Sequence, residues 1–314
     1  MGKRAPLLRL YTHPTCLEHR PGPGNPESPA RLEAVVEAIS ARWPNERWHH
    51  APAASREQIM RVHRADLVAL ILDSRFQDAD DTLHIDPDTV LSPGSADAAL
   101  HAAGAGIHAV DAVLGGQARR AFCAVRPPGH HATSMQAMGF CLFNNIALAA
   151  EHAIWVHGLT RVAIVDFDVH HGNGTEAIFA ADARVLYLST HQSPLFPGTG
   201  AAGDVGIGNA INRPLAPQTG SGAFRGLWSG DLLPALAAFR PQLVLVSAGF
   251  DGHRRDPLAD LQLDADDFAW LTGELLAIAE RHASGHLVSM LEGGYDLKAL
   301  QECAMAHVDA LLEN

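Results

Sequence analysis

Cysteine is scarce in this chain. Its 314 residues hold four, Cys16, Cys123, Cys141 and Cys303, scattered and without a CxxC pair. That argues against a disulfide scaffold and makes a reducing, cytoplasmic setting the expectation. Long apolar runs are missing too, so no segment is expected to span a bilayer. The opening stretch MGKRAPLLRLYTHP meets Pro14 before any long apolar segment and does not read as a signal peptide. It also lacks the Ser or Thr of a myristoylation site. Positive charge is outnumbered, 23 Lys and Arg against 35 Asp and Glu for a net −12. A non-specific grip on nucleic-acid phosphates is therefore not expected, whereas a basic protein or peptide stays open as substrate. Repeats and low-complexity linkers are absent, which points to one domain over residues 1–314. What is plentiful is apolar sequence, 47%, enough for a large soluble core, and histidine, 19 residues in all. So many imidazoles invite a search for metal or acid–base sites.

Residues 13–29, HPTCLEHRPGPGNPESP, read as a Pro/Gly-rich loop. Ser28 as N-cap and Pro29 at the first helical position then open a helix running to Trp43. His49, His50 and the stretch APAAS read as surface, and periodicity predicts helices over 56–72 and 94–114. From residue 121 the pattern changes. The short apolar runs AFCAV, RVAIVDFD, RVLYLST, PQLVLVSAGF and HLVSMLEGG alternate with helices near 143–157, 229–239, 265–283 and 297–312. Continuous apolar strands between helices mark a parallel sheet covered on both faces, a doubly wound α/β arrangement. Ligands of such sheets bind beyond the carboxyl ends of the strands, and every chemically interesting motif here follows a strand.

In VAIVDFDVHHGNG, a buried strand runs into Asp166, Asp168 and His170. At spacing i, i+2, i+4 an extended chain turns all three to one side, so Asp168 and His170 converge on one metal with Asp166 beside them. LVLVSAGFDGHRRDP delivers Asp251 from another strand end. Two carboxylates and one imidazole suit a catalytic Zn²⁺ with open positions, and also admit Fe²⁺, Mn²⁺ or Co²⁺. CAVRPPGHHA presents His130 and His131 together, apt for general acid and base work beside a metal. Asp166 and Asn173 are the natural orienting partners, and an anionic partner against a neutral one predicts that the two imidazoles differ in basicity. MLEGGYD places Tyr295 after a Gly-Gly hinge, where its hydroxyl can stabilise an oxyanion. Phe140 in GFCLFNN and Phe196 in SPLFPGTG are candidates for an apolar channel, with core packing as the plain alternative.

Together RPPGHHA, GFCLFNN, VDFDVHHGNGTEAIF, FPGTG, SAGFDGHRRDPLADLQL and LEGGYD resemble the histone deacetylase superfamily, which includes bacterial deacetylase-like and acetylpolyamine amidohydrolases. Asn173 in HHGNG and Glu292 in LEGGY resemble its class II branch. The resemblance implies the arginase–deacetylase fold, an open parallel sheet of about eight strands with helices on both faces. It implies Asp168, His170 and Asp251 as zinc ligands, His130 and His131 as the water-activating and amine-protonating pair, and Tyr295 as the carbonyl-polarising group. It further implies Phe140 and Phe196 as walls around the lysine methylenes, Gly139 as a carbonyl donor to the substrate amide, and Arg31 near the internal end of the pocket. Structural K⁺ is implied around Asp166, Asp168, His170, Ser189 and Thr190, with a second site at Phe179, Asp182, Val185 and Asn209.

The expected activity is removal of acetyl or other short acyl groups from lysine-type amines in proteins, peptides or small molecules. An acetylpolyamine hydrolase is the near rival, disfavoured by apolar Leu258 where an acidic gatekeeper would meet a distant cation. An arginase-like enzyme would need ligands for a second Mn²⁺ that the Val-His-His-Gly and Gly-His continuations lack. A non-catalytic acyl-lysine binding module would require a lost ligand, histidine or tyrosine, and all are present. The Ala-rich chain without localisation signals looks bacterial, nucleic acid and membrane are not expected partners, and homo-oligomers remain open.

Overall fold

The computed structural model describes residues 6–313; Met1–Ala5, on which the signal-peptide and myristoylation readings partly fall, and Asn314 lie outside the described residues. In chain order the strands are β1 (Leu8–Thr12), β2 (Trp48–His50), β3 (Leu83–His84), β4 (Val90–Leu91), β5 (Arg120–Cys123), β6 (Val162–Asp166), β7 (Val185–Gln192), β8 (Ala210–Leu215), β9 (Leu243–Ala248) and β10 (Leu287–Leu291). The helices are α1 (Pro29–Arg42), α2 (Arg56–Ile59), α3 (Ala65–Leu72), α4 (Ser95–Leu114), α5 (Asn145–Trp155), α6 (Asn173–Phe179), α7 (Ser221–Leu227), α8 (Leu233–Phe239), α9 (Ala265–His282) and α10 (Leu297–Leu312).

Eight strands form one sheet in the order β2-β1-β5-β10-β9-β6-β7-β8, every neighbouring pair parallel, and β3 and β4 pair apart as a short antiparallel ribbon. The central strands β6, β9 and β10 read VAIVD, LVLVSA and LVSML and are buried at every position. Both faces are covered by helices, so continuous apolar runs are what burial demands. Strand ends are level: Asp166 stands opposite Ser189 of β7 and Ser247 of β9. The loops leaving β5, β6, β9 and β10 therefore open side by side. Among the described residues no helix is long and apolar enough to cross a membrane.

The sequence reading places no element at β1, β8, the β3–β4 ribbon or α6, and four further features differ from it. The helix expected over 56–72 is two, α2 and α3, because the chain breaks to bury His63. Its Nε2 accepts the Asn144 N–H at 2.9 Å, and the Arg64 N–H donates to Ser134 O at 2.8 Å. His49 and His50 lie on edge strand β2, and Ala51 and Ala54 beyond them are buried rather than surface. The helix expected near 229–239 starts earlier, at Ser221, and runs through a widened turn at Trp228–Leu232 into α8. Ser28 stands at the N-cap of α1 without a side-chain bond, leaving Pro29 as the local cause of the start.

His307 of α10 ties three elements together. Thr272 Oγ1 donates to Phe268 O, so His307 Nδ1 donates to Thr272 Oγ1 at 2.6 Å, and Nε2 accepts from Ser289 Oγ at 2.8 Å. Burial pulls its pKa down to about 3, and burial likewise pulls His19 and His63 down to about 4. Between pH 6.5 and those values the unfolded chain binds protons that the folded chain refuses. Stability is then lost as pH falls, by about 1.4 kcal/mol per pH unit for each such histidine. Burial pulls His191 down to about 4 as well, while Glu292 and Asp256, raised to about 7 by burial, gain protons on folding and oppose the loss. Thermal melts from pH 7 to pH 5 are therefore expected to show a shallower loss, or a larger gain, in His307→Gln than in wild type, and an unchanged pH dependence in the variant would contradict it.

Candidate active site

Beyond β6 the chain does not stay extended. It bends, with Asp166 Oδ1 accepting the Asp168 N–H at 3.2 Å and Asp168 Oδ1 accepting the His170 N–H at 2.8 Å. These side-chain-to-backbone turns, rather than strand alternation, aim the motif. Asp168, His170 and Asp251 are buried, and one ligand atom from each lies within 4.8 Å of the others. His170 Nδ1 is 3.2 Å from Asp168 Oδ1 and 3.1 Å from Asp251 Oδ2. Backbone N–H groups hold the outer oxygens, Val169 on Asp251 Oδ1 at 2.9 Å and Gly293 on Asp168 Oδ2 at 2.8 Å.

Two glycines make room for these carboxylates. A Cβ at Gly249 would stand 1.9 Å from Asp168 Oδ2, and one at Gly293 2.1 Å from Asp251 Oδ2. Burial works against a charged His170, yet Asp168 and Asp251 push its pKa up to about 10. The pair of carboxylates thus calls for a positive charge at this point. A buried oxygen–oxygen–nitrogen set of this kind fits one divalent cation with positions left open.

His130 and His131 follow β5 with rings 4.0 Å apart, yet their surroundings are opposite. His130 Nδ1 is 3.0 Å from Asp166 Oδ2, and its Nε2 is 3.9 Å from Asp168 Oδ2. Burial disfavours its charged form, but Asp166 and Asp168 more than reverse this and raise its pKa well above the ordinary value. His131 Nδ1 donates to Asn173 Oδ1 at 2.9 Å, leaving Nε2 with a free lone pair. Burial and then the neighbouring His130 and His170 drive its pKa well below the ordinary value. One imidazole is set to be charged and its neighbour neutral.

Glu292, just past β10, braces this pair. Its Oε2 accepts the N–H groups of Gly129 at 2.6 Å and His130 at 3.2 Å. The next turn carries Tyr295, whose N–H donates to Asp256 Oδ2 at 2.7 Å. Arg31 holds the same turn by donating to Gly294 O at 2.6 Å and to Glu292 O, with its guanidinium 4.8 Å from the Tyr295 ring centre. Burial raises the Tyr295 phenol well above its ordinary pKa, Asp251 and Asp168 add to this and Arg31 opposes it. The hydroxyl is therefore a proton-bearing donor. Beneath lies a buried pair, Arg126 Nη2 to Glu27 Oε2 at 2.6 Å, with Arg126 Nη1 also donating to Cys16 O and His19 O. It anchors loop 13–29 to the motif that bears the tandem histidines.

Phe140 and Phe196 flank the entrance. Phe196 meets His131 edge-on at 5.0 Å, and Phe140 meets Tyr295 at 5.9 Å. Gly139 and Phe140 both have left-handed backbones, φ 56° and 67°. At Gly139 the reason is contact, since a Cβ would lie 2.5 Å from His131 and 2.8 Å from Phe196. Phe140 is held by its N–H on Thr89 Oγ1 at 3.1 Å. Leu258 and Phe140 border a cleft of about 1410 Å³ between loop 13–29 and residues 79–94. Ser189 pairs with Asp166 across the sheet, and Thr190 Oγ1 accepts from Trp228 Nε1 at 3.3 Å. The carbonyls of Phe179, Asp182 and Val185 all converge on Asn209 Nδ2, at 2.8, 3.0 and 3.0 Å.

The histone deacetylase domain profile matches residues 25–311. The chain belongs to the histone deacetylase family. A histone deacetylase-like amidohydrolase of Pseudomonas aeruginosa is 42% identical over 294 residues, covering 91% of this chain and 76% of that protein. A probable deacetylase of Archaeoglobus fulgidus is 38% identical over 300 residues, covering 92% and 81%. The crystal structure of an HDA15 HD domain superposes with TM-score 0.91 at 32% identity, covering 98% of this chain and 88% of the other. The eight-stranded parallel sheet is thus the arginase–deacetylase fold, and the histone deacetylase assignment carries with it a deacetylase or amidohydrolase activity and acyl-amine substrates.

Several groups that shape this histone deacetylase-type site escaped the sequence reading of its roles. Glu292 entered it as a mark of the class II branch and not as the acceptor that sets the tandem histidines. Glu27, Arg126, His63 and Asp256 were passed over. Arg126 and Asp256 sit inside the quoted motifs RPPGHH and RRDP, which was the available signal. Glu27 lies in the quoted loop 13–29, four residues before Arg31, and His63 carried no signal.

Proposed function

We propose that the chain is a zinc-dependent amidohydrolase that removes acetyl or other short acyl groups from lysine-type amines. The observation that carries this reading is the buried convergence of Asp168, His170 and Asp251 in front of two imidazoles of opposite character. A divalent cation held there supplies Lewis acidity toward the acyl oxygen and acidifies a water. Fe²⁺, Mn²⁺ or Co²⁺ would suit the same donor set.

The residues then divide the work. His131, neutral and pinned at Nδ1 by Asn173, takes a proton from the attacking water at Nε2. His130, charged beside Asp166, stabilises the negative charge that develops and steadies the protonated neighbour. Tyr295 donates its hydroxyl proton in a hydrogen bond to the acyl oxygen as that oxygen becomes anionic. The proton gathered by His131 passes to the leaving amine. Phe140 and Phe196 exclude water along the methylenes of the substrate, and Gly139 offers its carbonyl to the scissile amide.

Chelated enzyme is expected to be inert and to recover with zinc when assayed against acetyl-lysine peptides, longer acyl-lysines and acetylpolyamines. Acyl-lysine peptides are expected to give the highest kcat/KM. Turnover indifferent to chelation would sink the metal reading, and a zinc-loaded chain inert to the whole panel would return the binding-module alternative. A second reading, acetylpolyamine hydrolysis, is favoured by one observation. The outer cleft is lined by Glu18, Glu33, Asp80, Asp81 and Asp88 against Arg20 alone, a field that attracts a polycation. Leu258 at the same rim opposes it, and preference for the acetylpolyamine in that panel would decide for the second reading.

A further inference from the structure

Asp111, His152 and His157 form a second cluster with metal-ligand character, at the other end of the molecule from the site described above. Asp111 lies in the last turn of α4, His152 in the last turn of α5, and His157 two residues past the end of that turn. The strands beside them, β5 and β6, are just beginning, so the cluster sits beneath the sheet and not at its carboxyl edge. One ligand atom from each residue lies within 4.8 Å of the others. His152 Nε2 is 2.7 Å, and His157 Nε2 2.8 Å, from the same oxygen, Asp111 Oδ1.

Four features set this trio apart from an ordinary surface ion pair. Two imidazoles from one segment aim the same nitrogen at a single carboxylate oxygen of another helix. Among the described residues Asp111 pairs with no lysine or arginine, and its close nitrogen partners are these two histidines. Burial works to raise the Asp111 carboxyl, and the bonds from His152 and His157 more than reverse it, so the group is an anion ready to ligate. Finally, α4 and α5 both end here. The negative ends of two helix dipoles point at the same spot and favour a cation there.

The mouth of the cluster is open to solvent. Side-chain exposure is 7% for His152, 25% for His157 and 41% for Asp111, so one ligand is anchored and two can admit an ion. His152 Nδ1 is buried with no protein partner, so among the described residues the ring's one side-chain hydrogen bond is the one from Nε2 to Asp111. His108 stands one turn before Asp111 on the same face, near enough that the Asp111 charge acts on it.

We propose that Asp111, His152 and His157 bind a second divalent cation, of the zinc, nickel or cobalt class, that clips the end of α5 to α4. Two imidazoles and one carboxylate are a set that such borderline ions accept, with remaining positions filled by water. The ion takes no part in hydrolysis, because it lies at the opposite end of the strands from Asp168 and Tyr295.

The test is a zinc count on intact enzyme, equilibrated with a small excess of Zn²⁺ and desalted. Wild type is expected to retain about one more equivalent than either Asp111→Asn or His157→Gln, with kcat/KM of both variants within about twofold of wild type. Zinc is also expected to raise the Tm of wild type by more than that of either variant. His157 is partly exposed beyond the helix end, so that variant keeps a folded reference. The difference between chains, and not the total, is the readout, which separates this site from the catalytic one; Asp251→Asn is expected to retain the extra equivalent. Equal zinc in wild type and both variants would overturn the proposal and leave a plain histidine–aspartate network.

Discussion

Replacing His131 with alanine is expected to lower kcat by about 10²- to 10⁴-fold while zinc content and fold persist. The reasoning starts from the difference between two adjacent, buried imidazoles. His130 faces the Asp166 carboxylate and a second aspartate, and these favour its protonated form. His131 faces the carbonyl of an amide, which accepts the Nδ1 proton but adds no charge, while His130 and His170 repel a second cation. Only His131 keeps a free lone pair on Nε2 at neutral pH. A general base must carry that lone pair before it can take a proton. His130→Ala is expected to cost less, because it removes a favourable charge but leaves the base. The assay is kcat and kcat/KM on an acetyl-lysine peptide for both variants, beside their zinc content. Retention of more than a tenth of wild-type kcat by His131→Ala, or a larger loss in His130→Ala, would reverse the assignment.

How far such a site is legible depends on how local its causes are. Asp166, Asp168 and His170 sit within five residues of one another and follow the apolar strand VAIVD, so their convergence is written in one motif. The central strands are equally plain, because burial on both faces requires unbroken apolar runs. The edges are not. β8, AINRPL, is an edge strand that carries a buried Asn212, a half-buried Arg213 and an exposed Pro214, and β2 is only Trp48–His50, so neither has the composition that marks a strand. The break between α2 and α3 is illegible for another reason. Its cause is Asn144, whose N–H reaches His63 from 81 residues away. Glu292 and Glu27 belong to the same class: each has partners that no spacing rule connects, 163 and 99 residues distant. The bend past Asp166 shows a milder failure, since strand alternation anticipated a shared direction that two side-chain turns in fact impose.

Tyr295→Phe is expected to keep metal binding and KM near wild type and to lose about 10²- to 10³-fold in kcat. The variant is informative because everything that positions the ring survives it. The backbone N–H still donates to Asp256, Arg31 still holds the Gly294 carbonyl and faces the ring, and Phe140 still packs at its edge. Only the hydroxyl is removed. That group is a strong candidate for an oxyanion donor because burial beside Asp251 and Asp168 keeps its proton in place, whatever the pH within the working range. A hydrogen bond to an acyl oxygen strengthens as that oxygen gains charge, so its loss falls on the transition state and not on the bound substrate. The signature is a fall in kcat with KM and zinc content unmoved. Undiminished kcat would remove Tyr295 from the chemistry, and a matching rise in KM would recast it as a substrate-binding wall like Phe140.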